Sequence, residues 1–380
     1  MYSVGDYGFM LADLGRTQAY TAALRKAVRP GSVVAEIGTG LGYFAMLACQ
    51  LGARRVYAME VADVIEVARQ LIGQNGYAET IQLIPSRSTA VELPERADVI
   101  ISDLHGVLPL NEDAVSSIIH ARESLLSPGG RLIPRREIIW AGIVESRACY
   151  DHLIPRTANL HADFDLGLVR RMAANSWMKV QLKESEILAP PQVWATLDYE
   201  TVTDAGCSGR LDFQVSRQGT AHGIALWFDS ELYEDVGFSN CPGGPEHVFG
   251  QGFFPFEEPI TAGPGTRITV QLRAVHTSRR YVWCWDTAAA DNTGRITKSF
   301  KQGTLFGEPI APHTLRKCAD GFIPTLSDDG VMEQFVLGLM DGNQSLREIA
   351  ARVCERFPRR FGTFQQSLDW VCERSRKYSR

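Results

Sequence analysis

The sequence predicts an α/β domain with a parallel sheet, followed by an antiparallel β-domain and a small helical domain. Over residues 30–135, short apolar strands alternate with helical stretches, a pattern typical of βαβ units. From Ile138 to about Val275 the segments are alternating, β-branched and aromatic, which favours an antiparallel sheet resembling a barrel. Helical patterns return after a polar segment around residues 307–313. The predicted domains are therefore 1–134, 135–305 and 306–380, the last with a winged helix as the alternative to a plain helical fold.

The elements of the first domain follow from this alternation. Apolar runs bounded by turn residues predict four strands, Ser32–Ile37, Arg55–Glu60, Ile81–Ile84 and Asp98–Ser102. One helix is predicted to end near Leu51, a second near Ile72, and a third to run from about Asp113 to Leu126. The Ser-Pro-Gly-Gly sequence at 127–130 predicts a turn.

Beyond residue 134, strands and turns succeed each other closely. The clearest predicted strands are Trp194–Tyr199, Ile224–Phe228, Arg267–Val275 and Tyr281–Trp285. Residues from about Asp163 to Gln181 are predicted as a helical excursion. The third domain is predicted to contain three helices, at Gly330–Leu339, Ser345–Phe357 and Thr363–Tyr378.

Composition narrows the classes of function. A net charge of −5 argues against a protein that coats nucleic acid, and it permits a basic substrate. No apolar run approaches the ~18–20 residues needed to span a bilayer, and the N-terminus lacks the regions of a signal peptide. The eight cysteines form no CxxC pair, which favours neither a metal site nor a disulfide framework. We therefore expect a soluble cytoplasmic protein with no nucleic-acid or membrane partner and no metal.

A glycine-rich turn after the first strand carries the strongest functional signal. Gly38, Gly40 and Gly42 stand between a strand and a helix, where backbone N–H groups can approach a ligand closely. Glu60 ends the next strand, where a carboxylate can accept hydrogen bonds from both ribose hydroxyls. NAD is one candidate ligand. Glu36 and the GxGxG spacing favour S-adenosylmethionine, which has an ammonium group and no pyrophosphate.

The stretch VVAEIGTGLGYFAMLACQLGARRVYAMEVAD resembles the first two motifs of the protein arginine methyltransferases. Upstream, Met10–Arg16 resembles the family's ML-x-D-x-x-R helix, and the similarity extends over about residues 5–275. The resemblance implies a class I, Rossmann-like domain that binds S-adenosylmethionine, with Arg16 at the cofactor carboxylate and Ser88 and Thr89 near the adenine. The predicted cofactor contacts are Arg16, Glu36, Gly38, Gly40, Gly42, Glu60, Val61, Ser88, Thr89 and Asp103.

The acceptor site is predicted in the loop Ser102–Glu112, after the fourth strand. The family carries two glutamates there, which bind the guanidinium and bias its charge away from the attacking nitrogen. Glu112 occupies the second position, and Asp103, one methylene or about 1.5 Å shorter, occupies the first. The alternatives are a turn-capping Asp103 and a Glu112 that only complements a helix dipole.

Two histidines are further candidates. By the resemblance, His247 pairs with Asp13 of the ML-x-D-x-x-R helix, which could fix the imidazole tautomer or relay a proton after transfer. A purely structural His247 is the alternative. His105, within the acceptor loop, is a candidate base for a different nucleophile.

The C-terminal segment Leu326–Val353 contains the pattern DG-x-x-S-x-x-E-I-A, beginning at Asp341. It is weakly similar to PqqD-like domains, which bind leader peptides. Ser345 followed by Glu348 is also an ordinary helix capping box, so a plain helical domain is the alternative.

The leading hypothesis is a methyltransferase that acts on arginine in a peptide or protein, supported by Glu112, Asp13 and His247. An N- or O-methyltransferase acting on another peptide side chain or a small molecule is the close alternative, supported by Asp103 and by Val248 in place of the family's tryptophan. A non-catalytic scaffold that binds the cofactor is the third. A homodimer is also an option, because the family often dimerises.

Overall fold

The computed structural model describes residues 2–155, 164–278 and 280–379, and it divides into two units, Met1–Glu308 and Pro309–Arg380. The first unit contains the elements of the first two predicted domains. The predicted domain boundaries at residues 134 and 305 stay predictions.

A five-stranded parallel sheet organises the N-terminal part of the first unit. Its strands are β1 (Val33–Ile37), β2 (Arg55–Met59), β3 (Ile81–Ile84), β4 (Ala97–Ser102) and β5 (Leu126–Ile133), in the order β3-β2-β1-β4-β5. All neighbouring pairs are parallel. Every residue of β1 is buried, as expected for a strand with both faces covered. The predicted parallel sheet of the Rossmann-like class is confirmed.

Helices cover this sheet and precede it. They are α1 (Val4–Ala12), α2 (Leu14–Ala27), α3 (Tyr43–Gln50), α4 (Ile65–Gln74) and α5 (Ala114–His120). The helix predicted from about Asp113 to Leu126 is present, as α5 continued without a break by a π-helical turn at Ala121–Leu125. The turn predicted at 127–130 was wrong, because these residues lie within strand β5 and do not separate two elements. They form a bulge inside β5, where Leu126 pairs with Ala97 and the next paired residue, opposite Val99, is Arg131.

Ten antiparallel strands follow within the part of the chain that the structure describes. They are β6 (Arg136–Val144), β7 (Met178–Val180), β8 (Gln192–Asp198), β9 (Cys207–Gln214), β10 (Gly219–Tyr233), β11 (Val236–Ser239), β12 (Gln251–Ala262), β13 (Arg267–Thr277), β14 (Arg280–Ala290) and β15 (Ile296–Phe300). One sheet has the order β7-β12-β10-β6-β8, with β11 paired to β10, and the other has the order β15-β14-β13-β9. The predicted antiparallel β-domain is confirmed.

Large aromatic side chains fill the space between these two sheets. Phe213, Phe254 and Trp285 are almost completely buried in one shared cluster. The indole N–H of Trp285 donates to the Pro255 carbonyl at 2.9 Å, so its polar atom is satisfied. The sheets therefore share a core, which gives the β-domain its barrel-like character.

The predicted excursion at 163–181 is only partly helical. Among its described residues, α7 (Gly167–Ala173) is a short helix, and β7 then joins the sheet. Another short helix, α6 (Arg147–Leu153), precedes the excursion. Asp163, where the predicted excursion begins, lies outside the described residues.

The β10–β11 hairpin packs against α2. Leu232 belongs to the same buried cluster as Tyr20, and Phe238 packs against that cluster. This packing holds the β-domain against the helices on the cofactor side. It also brings β-domain residues next to the carboxyl edge of the parallel sheet.

The second unit is helical. It contains α8 (Pro312–Lys317), α9 (Asp328–Leu339), α10 (Leu346–Arg356) and α11 (Phe364–Tyr378), around a core that includes Val336, Val353 and Val371. Ser345 and Thr363 begin α10 and α11 with complete capping boxes. The three predicted helices are present. The winged-helix alternative was wrong for the described residues 309–379, which form no strand. The segments between the helices are short and lead directly into the capping residues of the next helix.

Within the described ranges, no helix combines the length and the apolarity that crossing a membrane would require.

Candidate active site

A cavity of about 1080 Å³ opens at the carboxyl edge of the parallel sheet. Such an edge is where ligands bind in open α/β sheets. The cavity brings together nine of the predicted site residues: Arg16, Gly38, Gly40, Glu60, Val61, Ser88, Asp103, His105 and Glu112. Glu36, Gly42, Thr89, Asp13 and His247 are not among its lining residues.

The glycine turn leaves no room for side chains. Gly38 and Gly40 have φ values of 76° and 53°. A Cβ on Gly38 would lie 2.8 Å from the Leu104 side chain, and one on Gly40 would lie 3.0 Å from the Tyr7 ring. These glycines therefore let the backbone reach the cavity. Gly42, also at positive φ, faces Ile72 instead and serves the packing of α3 against α4.

Glu60 is held by backbone amides at the tip of β2. One carboxylate oxygen accepts from the Gly40 N–H at 3.1 Å, and the other accepts from Val61 and Ala62 at 2.8 and 2.9 Å. The residue is buried but still lines the cavity. Burial, together with the nearby Glu60 charge, raises the pKa of Tyr7 to about 12. The carboxylate is thus prepositioned to accept hydroxyl groups of a ligand.

Glu36 lies behind the glycine turn instead of in the cavity. Its carboxyl accepts from the Thr39 hydroxyl at 2.6 Å and is almost fully buried. Burial raises its pKa to about 8, although the Thr39 hydrogen bond opposes the shift. The structure therefore gives Glu36 a place in the support of the turn.

The Glu36→Gln variant is expected to remove the part of the pH dependence of folding stability that comes from the raised pKa of Glu36. Because the folded protein holds the Glu36 proton more tightly than the unfolded chain, this stabilisation is complete below the ordinary pKa of 4.5 and is lost as the pH rises through about 8. Thermal unfolding followed from about pH 5 to 8.5 should fall less steeply in Glu36→Gln than in the wild type. Equal slopes would contradict the raised pKa, and Glu66→Gln, on the exposed face of α4, is the control.

The predicted adenine residues are separated by the fold. Ser88 is buried and lines the cavity, whereas Thr89 is exposed and lines a different depression, of about 690 Å³, together with His120. The short 3₁₀ turn at Ser88–Ala90 points the two side chains in different directions. The structure thus supports a ligand contact for Ser88 and not for Thr89.

Arg16 and Asp103 form a buried ion pair on the cavity wall. The Arg16 guanidinium also donates to the Met10 carbonyl at 3.0 Å and lies over the rings of Tyr20 and Phe44. The cation is therefore held at the point where α1 meets α2, facing the acceptor loop.

The acceptor loop contains a contact that sequence reasoning missed. His105 lies between Asp103, 2.8 Å from its Nδ1, and Glu137, which contacts its Nε2. Glu137 is fully buried in β6 and also accepts from the Tyr199 hydroxyl at 2.7 Å. The sequence signal for it is a charged residue at the start of β6, directly before the apolar run that begins at Ile138. Long-range packing brings it to the loop.

Glu112 lies at the other end of the loop, exposed at the cavity. Its φ of 40° is in the left-handed region, which is uncommon for a residue other than glycine. Its neighbour Asp113 contacts Arg87 and His276, each at 3.3 Å. The backbone therefore presents the Glu112 carboxylate to the cavity in a strained conformation.

His247 and Asp13 form the predicted pair. The imidazole Nδ1 lies 2.9 Å from an Asp13 oxygen, and the Val248 N–H donates to the other oxygen at 2.9 Å. Asp13 also caps α2 by accepting from the Arg16 N–H at 3.1 Å. Burial would raise the pKa of Asp13, but the hydrogen bonds from Val248, His247 and Arg16 outweigh it and lower the pKa. Both residues lie behind the lining, so a proton relay stays a prediction.

Comparison with known proteins agrees with this geometry. Residues 138–282 match the family model "Arginine methyltransferase oligomerization subdomain", and residues 15–183 match "Ribosomal protein L11 methyltransferase (PrmA)". Neither match reaches Leu326–Val353, so the similarity of that segment to PqqD-like domains stays a prediction.

Two curated relatives and one solved structure illustrate the similarity. "Probable protein arginine N-methyltransferase 6" of Arabidopsis thaliana is 29% identical over 60% of this chain, and the match spans about half of that relative, 54%. "Arginine N(omega)-methyltransferase" of Streptomyces achromogenes is 27% identical over 69% of this chain and 74% of the relative. The Trypanosoma brucei PRMT1 enzyme-prozyme complex with AdoHcy has a TM-score of 0.72 at 20% identity, covering 79% of this chain and 98% of that one, which shows a shared fold.

The matches cover the cofactor-side sheet and the β-domain, the two parts whose residues meet at the cavity. Over both of these parts, this chain is therefore similar to the protein arginine methyltransferases, which are class I S-adenosylmethionine-dependent methyltransferases.

Proposed function

We propose that the protein transfers a methyl group from S-adenosylmethionine to a guanidinium nitrogen of arginine in a peptide or protein. One observation carries the proposal. The glycine turn, Glu60 and the two carboxylates of the acceptor loop open on the same cavity. A cofactor and an acceptor bound in this cavity would therefore lie next to each other, with no part of the protein between them.

The residues present fit the cofactor. The side-chain-free turn at Gly38 and Gly40 admits the ligand, Glu60 can accept its ribose hydroxyls, and Arg16 can face its carboxylate. When bound, the cofactor supplies a methyl group on a sulfonium centre. The chain contributes orientation, because a methyl displacement requires the acceptor to lie in line.

On the acceptor side, Glu112 is the group best placed to bind a guanidinium. A guanidinium is always protonated and delocalised, so a carboxylate on one of its edges draws the positive charge away from the opposite nitrogen. Asp103 has one oxygen against Arg16 and the other against His105, and it contributes through the spare lone pairs of those oxygens.

The test is mass spectrometry of arginine-containing peptides incubated with the protein and S-adenosylmethionine, with matched peptides in which lysine replaces arginine. We expect a gain of about 14 mass units per methyl, from replacement of H by CH₃, on arginine alone. Cofactor binding without arginine modification would overturn the proposal.

A small-molecule acceptor is the second candidate. The partial engagement of Asp103 by Arg16 and His105 favours it, and so does the similarity to the Streptomyces arginine methyltransferase. Free L-arginine in the same assay separates the two, because a peptide enzyme should leave it unmodified.

We also propose that the protein forms a homodimer. The match of 138–282 to an oligomerization subdomain supports this. Large apolar side chains are exposed within that range, Phe164 at 78%, Leu168 at 59% and Val169 at 46%. Exposed apolar side chains of this size commonly mark an interface.

Aspartate in place of Leu168 is expected to weaken dimerisation at least about tenfold, because burial of a leucine side chain stabilises by about 1.5–3 kcal/mol. Sedimentation velocity over a concentration series measures the change. Ile296→Asp, equally exposed but outside the matched range, is the control. A monomeric wild type would contradict the dimer.

A further inference from the structure

One contact between the acceptor loop and the β-domain is made by a buried imidazole. His105 lies with Nδ1 2.8 Å from Asp103 Oδ1 and with Nε2 against Glu137 Oε1. Its side chain is only 4% exposed, that of Glu137 is 0% and that of Asp103 is 12%. The protein therefore shields most of these contacts from solvent.

The hydrogen-bonding chemistry of the three groups favours one protonation state of the imidazole. An ionised carboxylate only accepts hydrogen bonds, and a neutral imidazole can donate from one nitrogen alone. The hydroxyls of Tyr199 and Ser230 also donate to Glu137, at 2.7 and 3.2 Å, which uses its oxygens as acceptors. With Asp103 and Glu137 both ionised, both ring nitrogens of His105 donate, and this geometry corresponds to an imidazolium.

Aromatic side chains hold the ring in this orientation. The imidazole stacks on Phe228 at 5.2 Å between centroids with an interplanar angle of 8°. Phe249 meets it edge-on at 5.5 Å. A cation stacked on Phe228 is favoured by the electron-rich face of that ring, and the two rings together limit rotation of the imidazole.

The result is a chain of alternating charges that crosses from one part of the molecule to the other. Arg16, Asp103, His105 and Glu137 follow one another as cation, anion, cation and anion. Because each oxygen of Asp103 faces one of the two cations, its carboxylate has one direction in the cavity. Glu137, in β6, sets that direction through His105.

We propose that His105, an imidazolium held by Glu137, is the positioning residue that orients the Asp103 carboxylate toward the acceptor. The inference rests on the proposed function, in which the cavity takes an acceptor. It assigns His105 a charge and a direction, and it excludes the alternative in which His105 removes a proton, because an imidazolium has no free lone pair.

Kinetics of two variants test the positioning role. His105→Gln removes the cation, and we expect kcat to fall at least about tenfold while cofactor affinity stays within about twofold, since Asp103 alone loses its orientation. His105→Gln also leaves the Glu137 carboxylate buried without its cation, which should lower the melting temperature. The double variant His105→Gln/Glu137→Gln removes both buried charges and should recover the melting temperature without recovering kcat. Recovery of kcat in the double variant, or no loss in the single one, would overturn the proposal. His152→Gln, exposed on α6, is the matched control.

Ring-nitrogen NMR tests the charge without any acceptor. In the ¹⁵N-histidine-labelled full chain, the His105 signals are those lost in His105→Gln. We expect both nitrogens to be protonated at about pH 7.5, and one unprotonated nitrogen would overturn the inference. Because this readout needs no turnover, it separates failure of the inference from failure of the proposed function.

Discussion

Glutamine in place of Glu112 is expected to lower kcat for the arginine acceptor by about 10²–10³-fold, the usual loss when one charge-stabilising group is removed from an active site. Glu112 is the acceptor-loop carboxylate that the structure leaves exposed at the cavity. The neutral amide keeps the shape of the side chain but cannot draw the guanidinium charge away from the attacking nitrogen. Steady-state kinetics with saturating cofactor measure the effect, and calorimetry should show cofactor affinity unchanged.

The backbone at Glu112 provides a control that excludes misfolding. Because its φ of 40° is strained for glutamate, Glu112→Gly should be at least as stable to heat as the wild type while losing the same activity. Glu92→Gln, exposed and outside the cavity, should leave turnover intact. An active Glu112→Gly enzyme would remove Glu112 from the acceptor site.

Glutamine in place of Glu60 is expected to weaken S-adenosylmethionine binding roughly 100-fold. A hydrogen bond to a charged group contributes about 1.5–3 kcal/mol, and Glu60 is expected to accept two ribose hydroxyls. One Glu60 oxygen now accepts from the Gly40 N–H, and the other accepts from the Val61 and Ala62 N–H groups. In the variant, the amide NH₂ would replace one of these oxygens, so that a donor would face a donor. Isothermal titration calorimetry measures the change.

The control for this variant is Glu66→Gln, whose side chain contacts only the neighbouring Arg69 on the surface of α4. Its cofactor affinity should equal that of the wild type. An unchanged affinity in Glu60→Gln itself would refute the assignment of Glu60 to the ribose.

The cofactor half of the site was predictable because its determinants are local. A strand that runs into glycines, followed by a second strand ending in an acid, places Gly38, Gly40 and Glu60 at one edge of a parallel sheet. The resemblance added Asp13 and His247, whose pairing is present in the structure. These residues are determined by short segments whose geometry varies little.

The rest depended on packing over long distances in the chain. The contact between His105 and Glu137 requires β6 to return beneath the acceptor loop, which no local pattern predicts. Spacing alone also could not show which way a side chain points. Glu36 and Gly42 belong to the same motif as Gly38, yet they face the protein interior, and Thr89 points away from the cavity that its neighbour Ser88 lines.

One carboxylate, Asp13, caps the helix that carries Arg16 and also holds His247 and Val248 of the β-domain. The β-domain is therefore not an independent module that could be exchanged between relatives. A chimera with a foreign β-domain must bring a loop that matches Asp13, or it leaves a buried carboxylate without its donors. The same connection constrains directed evolution toward a new acceptor, because changes in the loop of His247 and Val248 disturb the helix that positions Arg16. We therefore expect acceptor range and cofactor affinity to change together.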